Sequence, residues 1–135
     1  MTIIGVGVDV LYVPRLSALI KRRSATKLAT RILSSSEHVH WQSDIAASTL
    51  QLQTRFLAVR WAVKEAAYKA LYPTIRPTWK MLTLTSFNAT IKSKPSLHLV
   101  EELRFPVKLH VSISHDGEYV FATVLAENVG SAGAS

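Results

Sequence analysis

The chain has 135 residues, 48% of them hydrophobic, no cysteine and a formal net charge of +7. This length fits one domain with one core, and the hydrophobic content argues against a disordered chain. The lack of cysteine excludes disulfides, thiolate metal sites and a cysteine nucleophile. No apolar run approaches the roughly 18 residues that cross a bilayer. Because the N-terminus opens into a strand-like pattern without a basic lead, we expect no secretory signal.

The first element in the chain is a predicted buried strand. Residues 2–10 (TIIGVGVDV) are rich in β-branched side chains, and Gly5 and Gly7 allow another backbone to approach closely. Pro14 suits the first turn of a helix, because its missing N–H has no helical partner there. The sequence therefore predicts a helix from Pro14 to about Arg23.

Two shorter helices are predicted next. One covers residues 26–33. Ser34 and Glu37 have the spacing of a capping box, which predicts a helix start at Ser34 and a helix that runs into Trp41. The polar, Ser/Thr-rich residues 44–53 predict a loop or a helix end.

A long helix is predicted over residues 55–71, which are rich in helix formers and free of Gly and Pro. Glu65 and Lys69 lie one turn apart, away from the apolar stripe, with only Ala58 and Ala62 beside them. Small neighbours leave space for a ligand above the two charges. A Glu–Lys pair at this spacing is also a common surface pair. The stripe consists of Phe56, Val59, Val63, Ala66 and Ala70.

After Pro73 and Pro77 the hydrophobic period changes from 3.6 to 2, which predicts strands. Asp116-Gly117 is a strong hairpin signal between the last two. The order of elements predicts an α+β fold in which a long helix packs on a mostly antiparallel sheet. We expect one domain over residues 1–127 and a disordered tail over 128–135. The predicted strands cover residues 81–92, 96–100, 108–114 and 118–126.

The positive charge is concentrated near the N-terminus. Between Asp9 and Glu37 there is no acid, but there are six basic residues. Such a block favours an acidic partner, which charge alone does not identify as nucleic acid, lipid or protein. A solvated basic helix is the simpler alternative. The six residues are Arg15, Lys21, Arg22, Arg23, Lys27 and Arg31.

Three short segments together resemble the 4'-phosphopantetheinyl transferases, most closely the short holo-acyl-carrier-protein synthase type. The family's G-x-D followed by an Arg is matched by Gly7, Asp9 and Arg15. Its aromatic-x-x-Lys-Glu-x-x-x-Lys signature is matched at residues 61–69. A strand that ends in Ser-Ile-Ser-His is matched at residues 112–115. The His115-Asp116 pair resembles the fungal or eukaryotic members of the family.

The resemblance implies transfer of the phosphopantetheine arm of coenzyme A to a serine of an acyl carrier protein, with release of 3',5'-ADP. It implies that Asp9 and Glu65 hold Mg²⁺, an ion that takes oxygen ligands and binds phosphates directly. Glu65 is the candidate acceptor of the serine proton, and Lys69 the candidate for neutralising the departing phosphate. Leu11 stands where double-length members have a second acid, so the metal is expected to have two protein carboxylates.

Further roles also follow from the resemblance. We expect coenzyme A to contact Arg60, Lys64, Lys69, Lys94, Pro95, His115 and Asp116. The basic residues Arg15, Lys21, Arg22 and Arg23 are the candidates for docking an acidic acyl carrier protein. Short members of the family form trimers with the site at subunit boundaries, so we expect a homotrimer, in the cytoplasm or the mitochondrial matrix. No nucleic-acid or membrane partner is expected.

A different function remains open at this point. The sequence pI of about 10.0 and strand aromatics such as Phe87, Tyr119 and Phe121 suggest a module that binds single-stranded nucleic acid. Such binding needs exposed aromatics interleaved with cations. Here the cations are concentrated in a predicted helical region, which favours the transferase. Asp9 also has a simpler reading, as a cap of the turn after the first strand.

Overall fold

The computed structural model describes residues 2–85, 94–100 and 106–130. It consists of a five-stranded sheet with a long helix packed against one face. The strand order is β1-β5-β4-β3-β2, and all neighbours are antiparallel. The predicted α+β fold is confirmed. The helices are α1 (Val13–Arg23), α2 (Ala25–Ile32), α3 (Ser35–His40) and α4 (Leu50–Leu71); the strands are β1 (Thr2–Tyr12), β2 (Leu82–Thr85), β3 (Ser96–Leu99), β4 (Val107–Asp116) and β5 (Tyr119–Asn128).

The long helix α4 packs on β1 and β5 at close range. A Cβ on Gly7 would collide with the carbonyl oxygen of Ala66, and one on Gly5 with that of Ala70. Ala58 and Ala62 are also fully buried, so they do not leave space above Glu65 and Lys69 as the sequence suggested. Their small size instead lets the helix and the sheet approach each other.

Local signals set most element boundaries. The predicted capping box is present: the N–H of Ser34 donates to Glu37 Oε1 at 2.9 Å, and the N–H of Glu37 donates to Ser34 Oγ at 3.5 Å. The predicted hairpin joins β4 to β5, and Gly117 adopts φ +56° there. Asn128, which was predicted to belong to the tail, is the last residue of β5. Within the described ranges, no helix has the length and apolarity to cross a membrane.

Two predicted segments differ from the structure. The polar stretch 44–53 contains a short connection over residues 46–49, between a π-helical turn at Trp41–Ile45 and α4, which begins at Leu50, earlier than predicted. The cause is a cap at Thr49, whose hydroxyl accepts the N–H of Leu52 at 3.2 Å. The strand predicted over 81–92 is confirmed only as β2, which follows a 3-10 turn; residues 86–93 lie outside the described part of the chain.

The face of the sheet that points away from α4 is apolar and exposed at β1 and β5. On β1, Val6, Val8 and Val10 are 56%, 51% and 52% exposed. The registers pair Val10 with Phe121 and Tyr12 with Tyr119 on β5, and the two tyrosine rings lie 5.2 Å apart. We call this set of Val6, Val8, Val10, Tyr12, Tyr119 and Phe121 the outer apolar face.

Candidate active site

Asp9 and Lys69 meet at the edge of the sheet. Asp9 alternates with Val8 and Val10, so its side chain points to the face that carries α4. The Lys69 ammonium donates to Val8 O at 2.9 Å and lies 3.3 Å from Asp9 Oδ1. The Lys69 side chain is 53% exposed and that of Asp9 is 16% exposed. The pair is therefore accessible to a ligand. The fold brings together two residues from opposite halves of the chain.

Glu65 joins this pair from one turn earlier on α4. Partial burial raises the pKa of the Glu65 carboxyl above its ordinary value, the nearby Asp9 charge raises it further, and Lys69 opposes the shift. Asp9 and Glu65 are thus close enough to influence each other, and their predicted metal-binding role stays a prediction. A cavity of about 360 Å³ opens beside Glu65, bordered by Tyr68 and Trp79 among others.

The donor set fits a hard divalent cation. A cation between two carboxylates reduces their electrostatic repulsion. Carboxylate oxygens are also the type of ligand that Mg²⁺ prefers. Within the described ranges, no group of three or more His, Cys, Asp or Glu residues is arranged to hold a metal. A cation here would rely on Asp9 and Glu65, with its other positions left to water and substrate oxygens.

Lys64, which was predicted to bind phosphate, points into the protein instead. Its side chain is 1% exposed. The ammonium donates to Ile32 O at 2.7 Å, to Trp79 O at 3.0 Å and to the Glu37 carboxylate. An ammonium has three donors, and all three are used here. We therefore replace the predicted phosphate-binding role of Lys64 by a structural one.

Arg60 is also buried, with 4% exposure. Its guanidinium lies 3.6 Å from the centre of the Phe56 ring, donates to Phe56 O at 3.3 Å and lies 3.9 Å from Glu37 Oε2. Burial lowers the pKa of Arg60 to about 10, against the opposing effect of Glu37. Arg60 does border a cavity of about 410 Å³, so contact with coenzyme A stays a prediction.

His115 lies close to the basic residue Arg55. Burial lowers the pKa of the His115 imidazole, and the nearby Arg55 charge lowers it further. Arg55 and His115 border both the cavity of about 410 Å³ and a larger one of about 640 Å³. Sequence analysis assigned no role to Arg55, because no spacing rule connects it with a histidine 60 positions later. Asp116 ends β4 and is exposed.

The remaining predicted residues are accessible. Pro95 borders the cavity of about 410 Å³ together with His115, and Lys94 is exposed beside it. Lys21 borders the cavity of about 640 Å³. The four basic residues assigned to partner docking are all exposed: Arg15, Lys21, Arg22 and Arg23.

Comparison with known proteins shows the family of the chain. Residues 5–124 match the model of the 4'-phosphopantetheinyl transferase superfamily. The chain belongs to this superfamily. It is 39% identical to the holo-[acyl-carrier-protein] synthase of Salmonella arizonae, over 98% of this chain and 100% of that protein. It is 37% identical to that of an Enterobacter species, over 95% of this chain and 100% of that protein. These relatives are bacterial, so the predicted likeness to fungal or eukaryotic members of the superfamily is not supported.

Solved structures of the superfamily share the fold. The holo-[acyl-carrier-protein] synthase of Neisseria meningitidis matches with a TM-score of 0.73 at 27% identity, over 93% of this chain and 99% of that chain. The Bacillus anthracis protein, in complex with CoA (3',5'-ADP), matches with a TM-score of 0.71 at 27% identity, over 95% of this chain and 99% of that chain. The transferase fold predicted from the sequence is confirmed.

Proposed function

We propose that this protein transfers the 4'-phosphopantetheine arm of coenzyme A to a serine of an apo acyl carrier protein and releases 3',5'-ADP. The observation that carries the proposal is the meeting of Asp9, Glu65 and Lys69 on one accessible surface of a superfamily member. The names of the relatives and the CoA complex of the Bacillus anthracis protein support the two substrates.

Mg²⁺ is the cation proposed for Asp9 and Glu65. When bound, it supplies positive charge to a diphosphate that two carboxylates would otherwise repel. The Lys69 ammonium keeps the Asp9 carboxylate in place from the solvent side. The cavity beside Glu65 provides space for the uncharged pantetheine arm next to the diphosphate.

The protein's side chains divide the chemistry between them. The serine oxygen forms a bond to the β-phosphorus, and the bond from that phosphorus to the bridging oxygen of 3',5'-ADP breaks. Glu65 accepts the serine proton, because a carboxylate at the edge of this cavity can act as a general base. Lys69 lies one turn further and neutralises the charge that develops on the departing phosphate.

Basic residues bind the rest of the two substrates. Arg55 and His115 border the largest of the three cavities described here; Arg55 supplies positive charge for the nucleotide phosphates of coenzyme A, and His115 supplies a hydrogen-bonding imidazole. Arg15, Lys21, Arg22 and Arg23 dock the acidic acyl carrier protein, in which role surface charges mainly raise the association rate.

A homotrimer completes the proposal. Monomeric proteins rarely expose large contiguous apolar patches, and the outer apolar face is such a patch on two adjacent strands. Its aromatic residues lie beside valines rather than cations, which suits contact with another copy better than stacking on nucleic-acid bases. Copies that meet through β1 bring a second chain close to Asp9.

Mass spectrometry of an apo acyl carrier protein incubated with the enzyme, coenzyme A and Mg²⁺ tests the function. The expected result is a mass gain of one phosphopantetheine that disappears with Glu65→Gln, a near-isosteric variant without the carboxylate. A mass gain that persists with Glu65→Gln contradicts the role of Glu65. No gain with any acidic carrier protein contradicts the function.

A further inference from the structure

The unexplained feature of the core is a fully buried ion pair directly beside the proposed catalytic acid. The side chains of Lys64 and Glu37 are 1% and 2% exposed. Burying two charges is costly, and a well-packed apolar pair of similar volume is often as stable or more stable. Stability alone therefore does not explain why this ion pair is present. Because Lys64 immediately precedes Glu65, a role in orienting Glu65 is the alternative.

The carboxylate of Glu37 connects three elements. Its Oε1 accepts the N–H of Ser34 at 2.9 Å and a hydrogen bond from Lys64, and its Oε2 accepts the N–H of Leu84 at 2.9 Å. Ser34 is the cap of α3, Leu84 lies in β2, and Lys64 lies in α4. The capping-box glutamate therefore also fixes α4 relative to the sheet.

The Lys64 ammonium adds two further connections. It donates to Ile32 O, at the C-terminal end of α2, and to Trp79 O, in the 3-10 turn before β2. Lys80 reaches the same end of α2, donating to Thr30 O at 2.7 Å. These are directional contacts to backbone that is itself fixed in α2 and in the 3-10 turn.

Two kinds of contact constrain the rotation of α4. The first is packing, because the backbone at Ala66 and Ala70 lies directly against Gly7 and Gly5. Burial also covers a wide part of the helix surface, including Leu57 and Val63, and a wide buried surface orients a helix less sharply than one narrow stripe. The second is therefore the set of hydrogen bonds made by Lys64, each of which has a narrow range of geometry.

We propose that the buried Glu37–Lys64 pair positions Glu65, holding α4 at the rotation that turns the Glu65 carboxylate toward Asp9. Adjacent residues of a helix lie about 100° apart, so fixing the direction of Lys64 fixes the direction of Glu65. Glu37 and Lys64 are positioning residues, because their charged groups are buried against each other and act through Glu65. The inference rests on the proposed function of Glu65.

The decisive variant is the double substitution Glu37→Gln with Lys64→Met, which removes both charges of the pair. Its melting temperature is expected to fall, because Ile32 O and Trp79 O lose their donor and Arg60 loses the carboxylate 3.9 Å away. At temperatures well below melting, kcat should fall about tenfold or more, with the KM for coenzyme A unchanged. Mn²⁺ affinity, measured by electron paramagnetic resonance without coenzyme A or carrier protein, should fall in the same way.

Leu28→Ala is the matched control for stability. Leu28 is a buried residue of α2, and its truncation should lower the melting temperature while leaving kcat and Mn²⁺ affinity unchanged below melting. If the double variant does not fold, Lys64→Arg replaces it: the charge is kept, but a guanidinium cannot reproduce the three contacts, and the same losses are expected.

Wild-type kcat and Mn²⁺ affinity in a folded double variant would overturn the proposal. A wild-type protein that binds Mn²⁺ but transfers nothing would contradict the proposed function only. Loss of Mn²⁺ binding in the double variant would still support positioning in that case. Equal losses in Leu28→Ala would show that the pair acts only through general stability.

Discussion

The Lys69 ammonium contacts two oxygens of the first strand, Val8 O at 2.9 Å and Asp9 Oδ1 at 3.3 Å. The contact connects the last turn of α4 to the edge strand of the sheet. The contact places the Lys69 ammonium beside Asp9, one of the two proposed metal-binding acids, with Glu65 one turn away. Because the Lys69 side chain is largely exposed, the ion pair is expected to contribute at most about 1 kcal/mol to the free energy of unfolding.

Lys69→Ala should therefore affect catalysis much more than stability. Without the ammonium, charge on the departing phosphate is not neutralised, and kcat is expected to fall on the order of 10²-fold. The KM for coenzyme A should change less, and the melting temperature little. Steady-state kinetics and thermal melting test this, with Lys108→Ala, an exposed lysine of β4, as the control. An increase in KM with an unchanged kcat would contradict the role.

Glu65 predicts a specific pH dependence of stability. The folded state raises the pKa of Glu65 and therefore favours its protonated form. Below the unfolded-state pKa, Glu65 is protonated in both states and stability is at its highest with respect to this group. The stability is lost as pH rises through the folded-state pKa, because the ionised carboxylate is less favourable in the folded protein. Glu65→Gln should thus be more stable than the wild type at pH 7, and the difference should vanish below about pH 4.

Urea unfolding at several pH values measures this difference. Asp44→Asn is the control, because Asp44 is exposed and pairs with an exposed partner, His40. A Glu65→Gln variant that is less stable than the wild type at pH 7 would show that the carboxylate has a stabilising partner instead.

Gly7 is predicted to be intolerant of any side chain. A methyl group there would collide with the backbone carbonyl of Ala66, which cannot move without α4. Gly7→Ala should destabilise the protein by about 1–3 kcal/mol and also lower kcat, because it pushes Glu65 away from Asp9. Chemical unfolding and kinetics test both effects. Thr2→Ala, on an exposed position of the same strand, should show neither.

Most of the fold could be predicted because its signals are local. The change of period after Pro77, the capping box at Ser34 and the hairpin at Gly117 each depend on neighbouring residues. The early start of α4 was missed because a Ser/Thr-rich stretch is typical of loops as well as of caps, and Thr49 acts as a cap here. Which faces of α4 are buried depends on the sheet, which the helix sequence does not contain.

The site residues also divide into those that local motifs indicate and those whose surroundings depend on distant parts of the chain. Asp9, Glu65 and Lys69 could be singled out because the motifs that contain them are short and occur in order; the contact of Lys69 with Asp9 is observed, and the roles of the three residues stay predictions. Lys64 was misassigned because a lysine next to a catalytic glutamate is expected to be solvated, whereas its partner Glu37 lies 27 positions away. A buried ion pair between separate elements leaves no periodic pattern in the sequence.

The basic helix α1 predicts a salt-dependent interaction with the carrier protein. Arg22→Glu should raise the KM for the carrier protein and leave the KM for coenzyme A unchanged. The difference from the wild type should shrink at 0.5 M salt, where exposed charges are screened. Lys108→Glu makes the same charge change on β4, away from α1, and should have little effect. Equal effects of both variants would indicate a response to net charge rather than to docking.

The outer apolar face predicts that assembly and activity fail together. Val10 is 52% exposed at the centre of this face and pairs with Phe121. In a trimer that buries the face, Val10→Lys places an unpaired charge in an apolar contact, which is strongly unfavourable. Sedimentation should show a trimer for the wild type and a monomer for the variant. Activity should be lost with the trimer, because the edge strand β1 carries both this face and Asp9, and the proposal places a second copy against β1. Val39→Lys, which changes an exposed valine of α3, should leave both unchanged; a monomeric and fully active wild type would refute the assembly.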